Sequence, residues 1–153
     1  FVRFGVRKFL IIDGGVSTHP PLCLLARDLD NSHNVKVAVS DIRGLAAETE
    51  NELCKQNQGG HGDESETSTM LYLHEILVHM DKAVEEYSEE FPNTIVNGHR
   101  KIDFSSRMNT PNGINGNSTL ATKEKGEKIL QAMVESICDF LEEYIPWMPE
   151  AED

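Results

Sequence analysis

Short apolar runs alternate with amphipathic stretches along the first forty residues. Residues 7–12 end in the run Phe9-Leu10-Ile11-Ile12 before Asp13-Gly14-Gly15, which is typical of a buried parallel strand that enters a turn. Pro20-Pro21 opens a stretch with apolar residues at helical spacing, and residues 35–39 have the β-branched composition of a second strand. The order strand, helix, strand predicts a βαβ unit and an α/β fold.

The rest of the pattern predicts helices around a long loop. Apolar residues recur at helical spacing in three segments, which we interpret as helices: residues 42–56, 65–75 and 122–144. A further helical turn is expected at 83–87. Residues 88–117 are rich in Asn, Pro and Gly and predict a loop with a short strand near 94–96.

Length and charge narrow the possible functions. The 153 residues suit one domain, which we place at 1–146, followed by an acidic tail at 147–153. With 26 acidic and 14 basic residues the net charge is -12, so the chain has no basic surface for nucleic acid. No apolar run is long enough to predict a membrane span.

The three cysteines indicate a reducing compartment, because they are odd in number and lack paired spacing. This predicts a cytoplasmic protein. Cys23 and Cys138 fall among apolar residues at helical spacing, so we interpret both as packed core thiols and not as nucleophiles.

A cluster of titratable residues marks the first candidate site. His61, Asp63, Glu64 and Glu66 lie where a glycine-rich loop runs into a predicted helix. A histidine beside a carboxylate can transfer protons near neutral pH, which amide hydrolysis requires. The alternative is an ordinary acidic first turn with Ser65 as the N-cap.

The end of the first strand is a second candidate site, because ligands of open α/β sheets bind beyond the carboxyl ends of the strands. The turn Asp13-Gly14-Gly15 lacks the spacing of a phosphate-binding loop, and His19 is interpreted as the start of a helix. Further along the chain, Gly126 is unusual in an early helical turn, where glycine costs about 1 kcal/mol relative to alanine. Close packing against another backbone would compensate for it.

Several of these segments together resemble the creatininase family of creatinine amidohydrolase-like enzymes. The resemblance rests on His61-Gly62 followed by Glu66-Thr67-Ser68, on the downstream segment Ala121-Thr122-Lys123-Glu124-Lys125-Gly126-Glu127, and on the strand and turn at 9–18. The order and the separation of these segments agree with the family pattern.

The resemblance implies an α/β domain with a parallel sheet flanked by helices, assembled as a homo-oligomer and commonly as a hexamer. It implies hydrolysis of a C–N bond in a cyclic or formyl amide, a small-molecule substrate, with a divalent metal such as zinc, manganese or iron. By resemblance, His61 would transfer a proton to the leaving nitrogen and Glu66 would be a carboxylate of the catalytic pocket. Ser17, Thr18 and Asp63 are predicted to bind substrate.

The chain departs from the family at the strand end. Gly15 stands where a metal-binding histidine is expected, and Ser17 stands where creatininase itself has a ligating glutamate. Neither side chain is a useful ligand, so the metal ligands are unknown. We expect the chain to be the C-terminal portion of such a domain, with the remaining ligands upstream. The alternative is a non-catalytic assembly subunit or small-molecule binding module that has lost the metal site.

Overall fold

A computed structural model describes residues 1–15, 18–88 and 110–147, together with the backbone of 95–96 and 99–100. Its residues divide into two compact units, Phe1–Ala47 with Ala132–Asp153, and Glu48–Gln131. The predicted acidic tail lies outside the described residues except for Trp147. Among the described residues, no helix combines the length and hydropathy needed to cross a bilayer.

The first unit contains the predicted βαβ element. Strand β1 (Lys8–Asp13) and strand β2 (Lys36–Asp41) are parallel, and helix α1 (His19–His33) connects them. The register pairs Lys8 with Lys36 and Asp13 with Asp41, so both strands end at the same edge. The predicted α/β class, with a parallel sheet and helices, is confirmed.

Local sequence explains both ends of helix α1. Thr18 is the N-cap, and proline occupies the first turn, where its missing N–H costs nothing. At the other end Asn34 adopts a left-handed conformation, with φ of 48°, and its N–H donates to the Asp30 carbonyl. Asparagine tolerates this conformation better than most residues, so it ends the helix and leads the chain into β2.

The last long helix also contributes to the first unit. The Ser136 hydroxyl donates to the Leu45 carbonyl at 2.7 Å. Near the end of this helix, the Tyr144 hydroxyl contacts the carbonyl oxygens of Lys36 at 2.8 Å and Phe9 at 3.2 Å. One phenol therefore contacts the backbone of both parallel strands.

The second unit is built from short elements. Its helices are α2 (Ala47–Leu53), α3 (Glu64–His74) and the first part of α4 (Lys123–Tyr144). Its strands are β3 (Glu85–Glu86), β4 (Ile95–Val96), β5 (His99–Arg100) and β6 (Gly116–Asn117). For β4 and β5 the backbone alone is described. Strand β3 pairs antiparallel with β6, and β4 pairs antiparallel with β5.

Three sequence predictions need correction. The helix expected at 42–56 is confined to Ala47–Leu53. The helical turn expected at 83–87 is wrong, because Glu85–Glu86 forms a strand whose partner lies some thirty residues later and is invisible to local periodicity. Cys138 was expected in the core but is exposed on α4. Most of the predicted loop at 88–117 lies outside the described residues.

Candidate functional site

Asp63 caps the start of helix α3. Its Oδ1 accepts from the Glu66 N–H at 3.0 Å, and its Oδ2 accepts from the Gly60 N–H at 3.1 Å and from the Gln56 amide at 3.0 Å. Asp63 is buried, and both oxygens are used within the protein. The N-cap is thus Asp63 and not Ser65. A substrate-binding role for Asp63 stays a prediction, and any substrate would compete with these contacts.

Glu64 is fully buried directly after the cap. Its Oε2 accepts from the backbone N–H groups of Lys55 and Gln56, each at 2.8 Å, and its Oε1 pairs with the Lys125 ammonium. These donors compensate the carboxylate for its lost hydration. Glu64 therefore ties three separate segments of the second unit together, a role that its position in a charged first turn did not indicate.

His61 and Glu66 are the two members of the cluster with exposed side chains. The exposed fractions are 60% for His61 and 52% for Glu66, and His61 Nδ1 lies 3.8 Å from Glu66 Oε2. The backbone of His61 is fixed by reciprocal hydrogen bonds with Asn115, and Glu66 Oε2 accepts from the Gly62 N–H at 2.7 Å. A firmly held backbone thus presents an imidazole and a carboxylate to solvent.

Gly116 permits the close approach behind this cluster. Its φ is +145°, and a Cβ at this position would lie 2.4 Å from the Asp63 Cβ. No larger residue fits there without moving the capping aspartate. The strand that pairs with β3 thereby supports the turn that carries His61.

The downstream segment contacts helix α3 directly. The Ser68 hydroxyl donates to the Glu64 carbonyl at 2.5 Å and accepts from the Thr122 N–H at 3.1 Å. A Cβ on Gly126 would lie 1.9 Å from the Ser68 carbonyl oxygen, so the predicted close packing at this glycine is confirmed. The two sequence segments that carry the family resemblance are therefore one packed structure.

A cavity of about 360 Å³ opens beside Glu66. Its lining includes Glu66, Met70, Leu77, His79 and Lys82. Gly62 also lines the cavity, whereas the neighbouring His61 does not. The sequence does not indicate His79 or Lys82 as site residues, because neither belongs to a recognisable spacing of ligands or catalytic groups. The cavity size falls in the range of about 300–1,000 Å³ that small-molecule sites occupy.

The strand-end turn of the first unit is held by Asp13, which is buried. Its Oδ1 accepts from the Gly15 N–H at 3.1 Å and from the Thr18 hydroxyl. The Thr18 hydroxyl also lies 2.8 Å from the Gly15 carbonyl, so it is engaged inside the turn. Its predicted substrate-binding role stays a prediction. Ser17 lies outside the described residues.

Beyond β2, the Arg43 guanidinium hydrogen-bonds Asp41 through Nε at 3.1 Å and Nη2 at 2.5 Å. This side-chain hydrogen bonding lowers the pKa of Asp41 and raises that of Arg43. Within the described parts of the chain, no group of three or more His, Cys, Asp or Glu side chains is placed to hold a metal ion. The described residues therefore do not supply the ligand set that the family resemblance implies.

Comparison with known proteins places these segments in a family context. A family model described as creatinine amidohydrolase, or creatininase, matches residues 1–141. A search of curated proteins gives no significant match.

Solved structures give consistent matches. A structure described as creatininase Mn superposes with a TM-score of 0.72 at 26% identity, over 95% of this chain and 59% of the other. A putative creatinine amidohydrolase from Bacteroides fragilis gives 0.74 at 26% identity, over 95% and 56%. A creatininase variant of the Zn-Zn type gives 0.69 at 26% identity, over 95% and 59%. The chain thus spans less than two thirds of the length of these solved structures.

Proposed function

Because the chain belongs to the creatininase family, we propose that it takes part in hydrolysis of a C–N bond in a small cyclic or formyl amide. The observation that supports this proposal is the pairing of His61 with Glu66 on an anchored backbone, at the positions where the family pattern has its histidine and its carboxylate. The adjoining cavity has a size suited to a small molecule.

We assign His61 the role of general acid. Cleavage of an amide needs a proton on the leaving nitrogen, and an imidazolium supplies one near neutral pH. In the proposed reaction Nε2 donates this proton while Nδ1 faces Glu66. The 3.8 Å separation between Nδ1 and Glu66 Oε2 is longer than a hydrogen bond, which is common for catalytic pairs before substrate binds.

Glu66 acts as a positioning residue in this proposal. Its Oε2 is held by the Gly62 N–H, so the carboxylate has a fixed place from which to orient the imidazole and stabilise its cationic form. Glu66 also lines the cavity, which places its negative charge where a cationic or N–H-rich substrate group would be favoured. Thr18, Ser17 and Asp63 stay predictions as substrate-binding residues.

By family membership the proposal also includes dependence on zinc, manganese or iron, a small-molecule substrate, and a homo-oligomeric assembly such as a hexamer. Two of the solved relatives carry manganese or zinc in their descriptions. The described residues do not form a ligand set, so no residue of this chain is assigned as a metal ligand.

Turnover of amides by the complete protein tests the proposal. With a panel of cyclic and N-formyl amides, His61→Ala should lower kcat by about 10²–10⁴-fold, the usual contribution of a general acid. Glu66→Gln should shift the pH dependence of kcat through the change in the imidazole environment. His74→Ala is the matched control, because His74 is also exposed and ends helix α3, which begins three residues after His61. Equal turnover by the His61 and His74 variants would remove His61 from the mechanism.

A non-catalytic binding module is the second candidate, favoured by Gly15 and Ser17 at positions where the family pattern has ligands. Metal analysis of the purified complete protein separates the two candidates. Stoichiometric zinc, manganese or iron together with amide turnover supports the hydrolase. Ligand binding without turnover, in protein supplied with each of these metals, supports the binding module.

A further inference from the structure

A buried carboxylate oxygen in the first unit has no hydrogen-bond partner among the described residues. Asp13 is only 4% exposed, and while its Oδ1 holds the turn, its Oδ2 accepts no hydrogen bond from them. This Oδ2 lies 3.5 Å from Nδ1 of His19, an atom that is also buried and has no hydrogen bond within the same described part of the chain. Two complementary atoms therefore face each other at the start of helix α1.

The other nitrogen of the same imidazole contacts a thiol. His19 Nε2 lies 3.5 Å from Cys23 Sγ, because residues four apart on a helix lie on the same face. Asp13, His19 and Cys23 thus form a continuous chain of carboxylate, imidazole and thiol. All three belong to the first unit, and Cys23 is partly exposed.

This order of groups is the one that activates a cysteine. A thiolate is the nucleophile, a neighbouring imidazole accepts the thiol proton, and a carboxylate on the far ring nitrogen orients the imidazole and stabilises its cation. The interpretation of Cys23 as an inert core thiol included neither contact. His19 reaches Cys23 along the helix, whereas Asp13 reaches His19 because β1 ends beside the start of α1.

The other two cysteines lie in different surroundings. Cys54 belongs to the second unit, where burial and the nearby Glu64 and Glu50 raise the pKa of its thiol to about 11. Such a thiol stays protonated at neutral pH and reacts slowly. Cys138 is exposed on α4 and serves as a reference for an accessible thiol.

We propose that Cys23 is a reactive thiol, with His19 as its base and Asp13 as the positioning residue, and that it forms a mixed disulfide with small disulfides of the glutathione type. His19 Nε2 takes the thiol proton, and Sγ attacks one sulfur of the small disulfide. The new S–S bond forms as the old one breaks, and the leaving thiolate takes a proton from the imidazolium. The protein sulfur is oxidised and one half of the small disulfide is reduced, so no further oxidant is needed.

The charged groups around His19 come from each strand. Asp13 ends β1, Asp41 ends β2, and Arg43 follows in the next turn. Asp41 and Arg43 form an ion pair with each other. Asp41 also interacts with His19, and Arg43 also interacts with Asp13. Asp13 is the carboxylate whose oxygen lies next to the imidazole, with Oδ2 at 3.5 Å from Nδ1.

Site-resolved kinetics of disulfide exchange tests the proposal. The intact chain is exposed to glutathione disulfide at pH 7, quenched with acid, and analysed by peptide mass spectrometry to give a rate for each cysteine. Cys23 should react about tenfold faster than Cys138, although it is less exposed, and faster still than Cys54. Equal rates at Cys23 and Cys138 overturn the proposal.

Two variants assign the cause of the enhanced rate. His19→Gln should lower the rate at Cys23 about tenfold and leave the rate at Cys138 unchanged. His33→Gln, an exposed change at the other end of α1, should alter neither. If His19→Gln and His33→Gln leave Cys23 equally fast, His19 is not the base.

Two further measurements separate chemistry from folding. In guanidinium chloride the three cysteines should react at similar rates, so a preference for Cys23 that persists there contradicts a role for the folded site. Asp13→Asn keeps an acceptor for the Gly15 N–H but removes the negative charge. It should therefore change the pH dependence of the Cys23 rate, and an unchanged pH profile would exclude Asp13 from the site.

Discussion

The strand-end turn of the first unit and the loop before α3 in the second unit use carboxylates in opposite ways. At the strand end, one buried aspartate holds its own turn with one oxygen and leaves the other facing His19. Before α3, the buried carboxylates of Asp63 and Glu64 are saturated by hydrogen bonds and an ion pair. The reactive candidates there, His61 and Glu66, are exposed.

This difference shows that the residue types in an acidic cluster do not indicate which carboxylates are structural and which can take part in a reaction. Three carboxylates lie within residues 63–66: those of Asp63 and Glu64 are buried and stabilise the fold, whereas that of Glu66 is exposed. Burial with full satisfaction indicates a structural role, whereas burial with an unsatisfied atom or exposure on a fixed backbone indicates chemistry. Substitutions that remove each kind of carboxylate test this distinction.

The largest effect is expected at Glu64. Glu64→Ala leaves the half-buried Lys125 ammonium without its counter-charge and two backbone N–H groups without their acceptor, which should lower the free energy of unfolding by about 3–5 kcal/mol. Urea denaturation measures this loss. Glu66→Ala removes an exposed carboxylate two residues away together with its one hydrogen bond from the Gly62 N–H, and it should lower the free energy of unfolding by about 1 kcal/mol or less. Similar losses in the two variants would contradict the division between saturated and exposed carboxylates.

The next largest effect is expected for Gly126→Ala. This substitution should destabilise the protein, although alanine is a better helix former than glycine. In an open helix Gly→Ala stabilises by about 1 kcal/mol. Here the new Cβ would overlap the Ser68 carbonyl, so Gly126→Ala should instead destabilise by about 1–3 kcal/mol or more. Glu127→Ala, one residue further and exposed, is the matched control and should stay within about 0.5 kcal/mol in urea denaturation. A stabilised Gly126→Ala variant would show that α4 does not need this close approach.

Much of the fold could be predicted, because its signals are local. The apolar run before Asp13, the prolines at the start of α1 and the β-branched segment together specify a βαβ unit without reference to distant residues. The long stripe of α4 and the start of α3 are equally local. The pairing of β3 with β6 could not be predicted, since each strand has two residues and their register depends on tertiary contacts.

The candidate site could be predicted only in part. The spacing of His61 and Glu66 matched a family pattern, and the structure brings their side chains together. The same pattern could not distinguish Asp63 and Glu64 from them, because the partners that saturate those carboxylates, Gln56 and Lys125, lie outside the loop. Likewise the contact of His19 with Asp13 depends on the parallel strand, and no spacing in the sequence indicates it.

The smallest effect is expected at the ion pair of Asp41 with Arg43, beside the strand-end turn. Hydrogen bonds from Arg43 lower the pKa of Asp41 from its ordinary value of 3.8, so Arg43→Gln should raise it again, as carboxyl NMR titration would detect. Because the folded-state pKa is depressed, the pair stabilises the protein above pH 3.8 and this contribution is lost as the pH falls through the folded-state value.

Both side chains of the pair are partly exposed, so Arg43→Gln should lower the free energy of unfolding at neutral pH by about 0.2–1 kcal/mol. Arg27→Gln, an exposed change on α1, should leave the titration of Asp41 unchanged. If both variants shift that titration equally, net charge and not the hydrogen-bonded pair sets the acidity at the strand end.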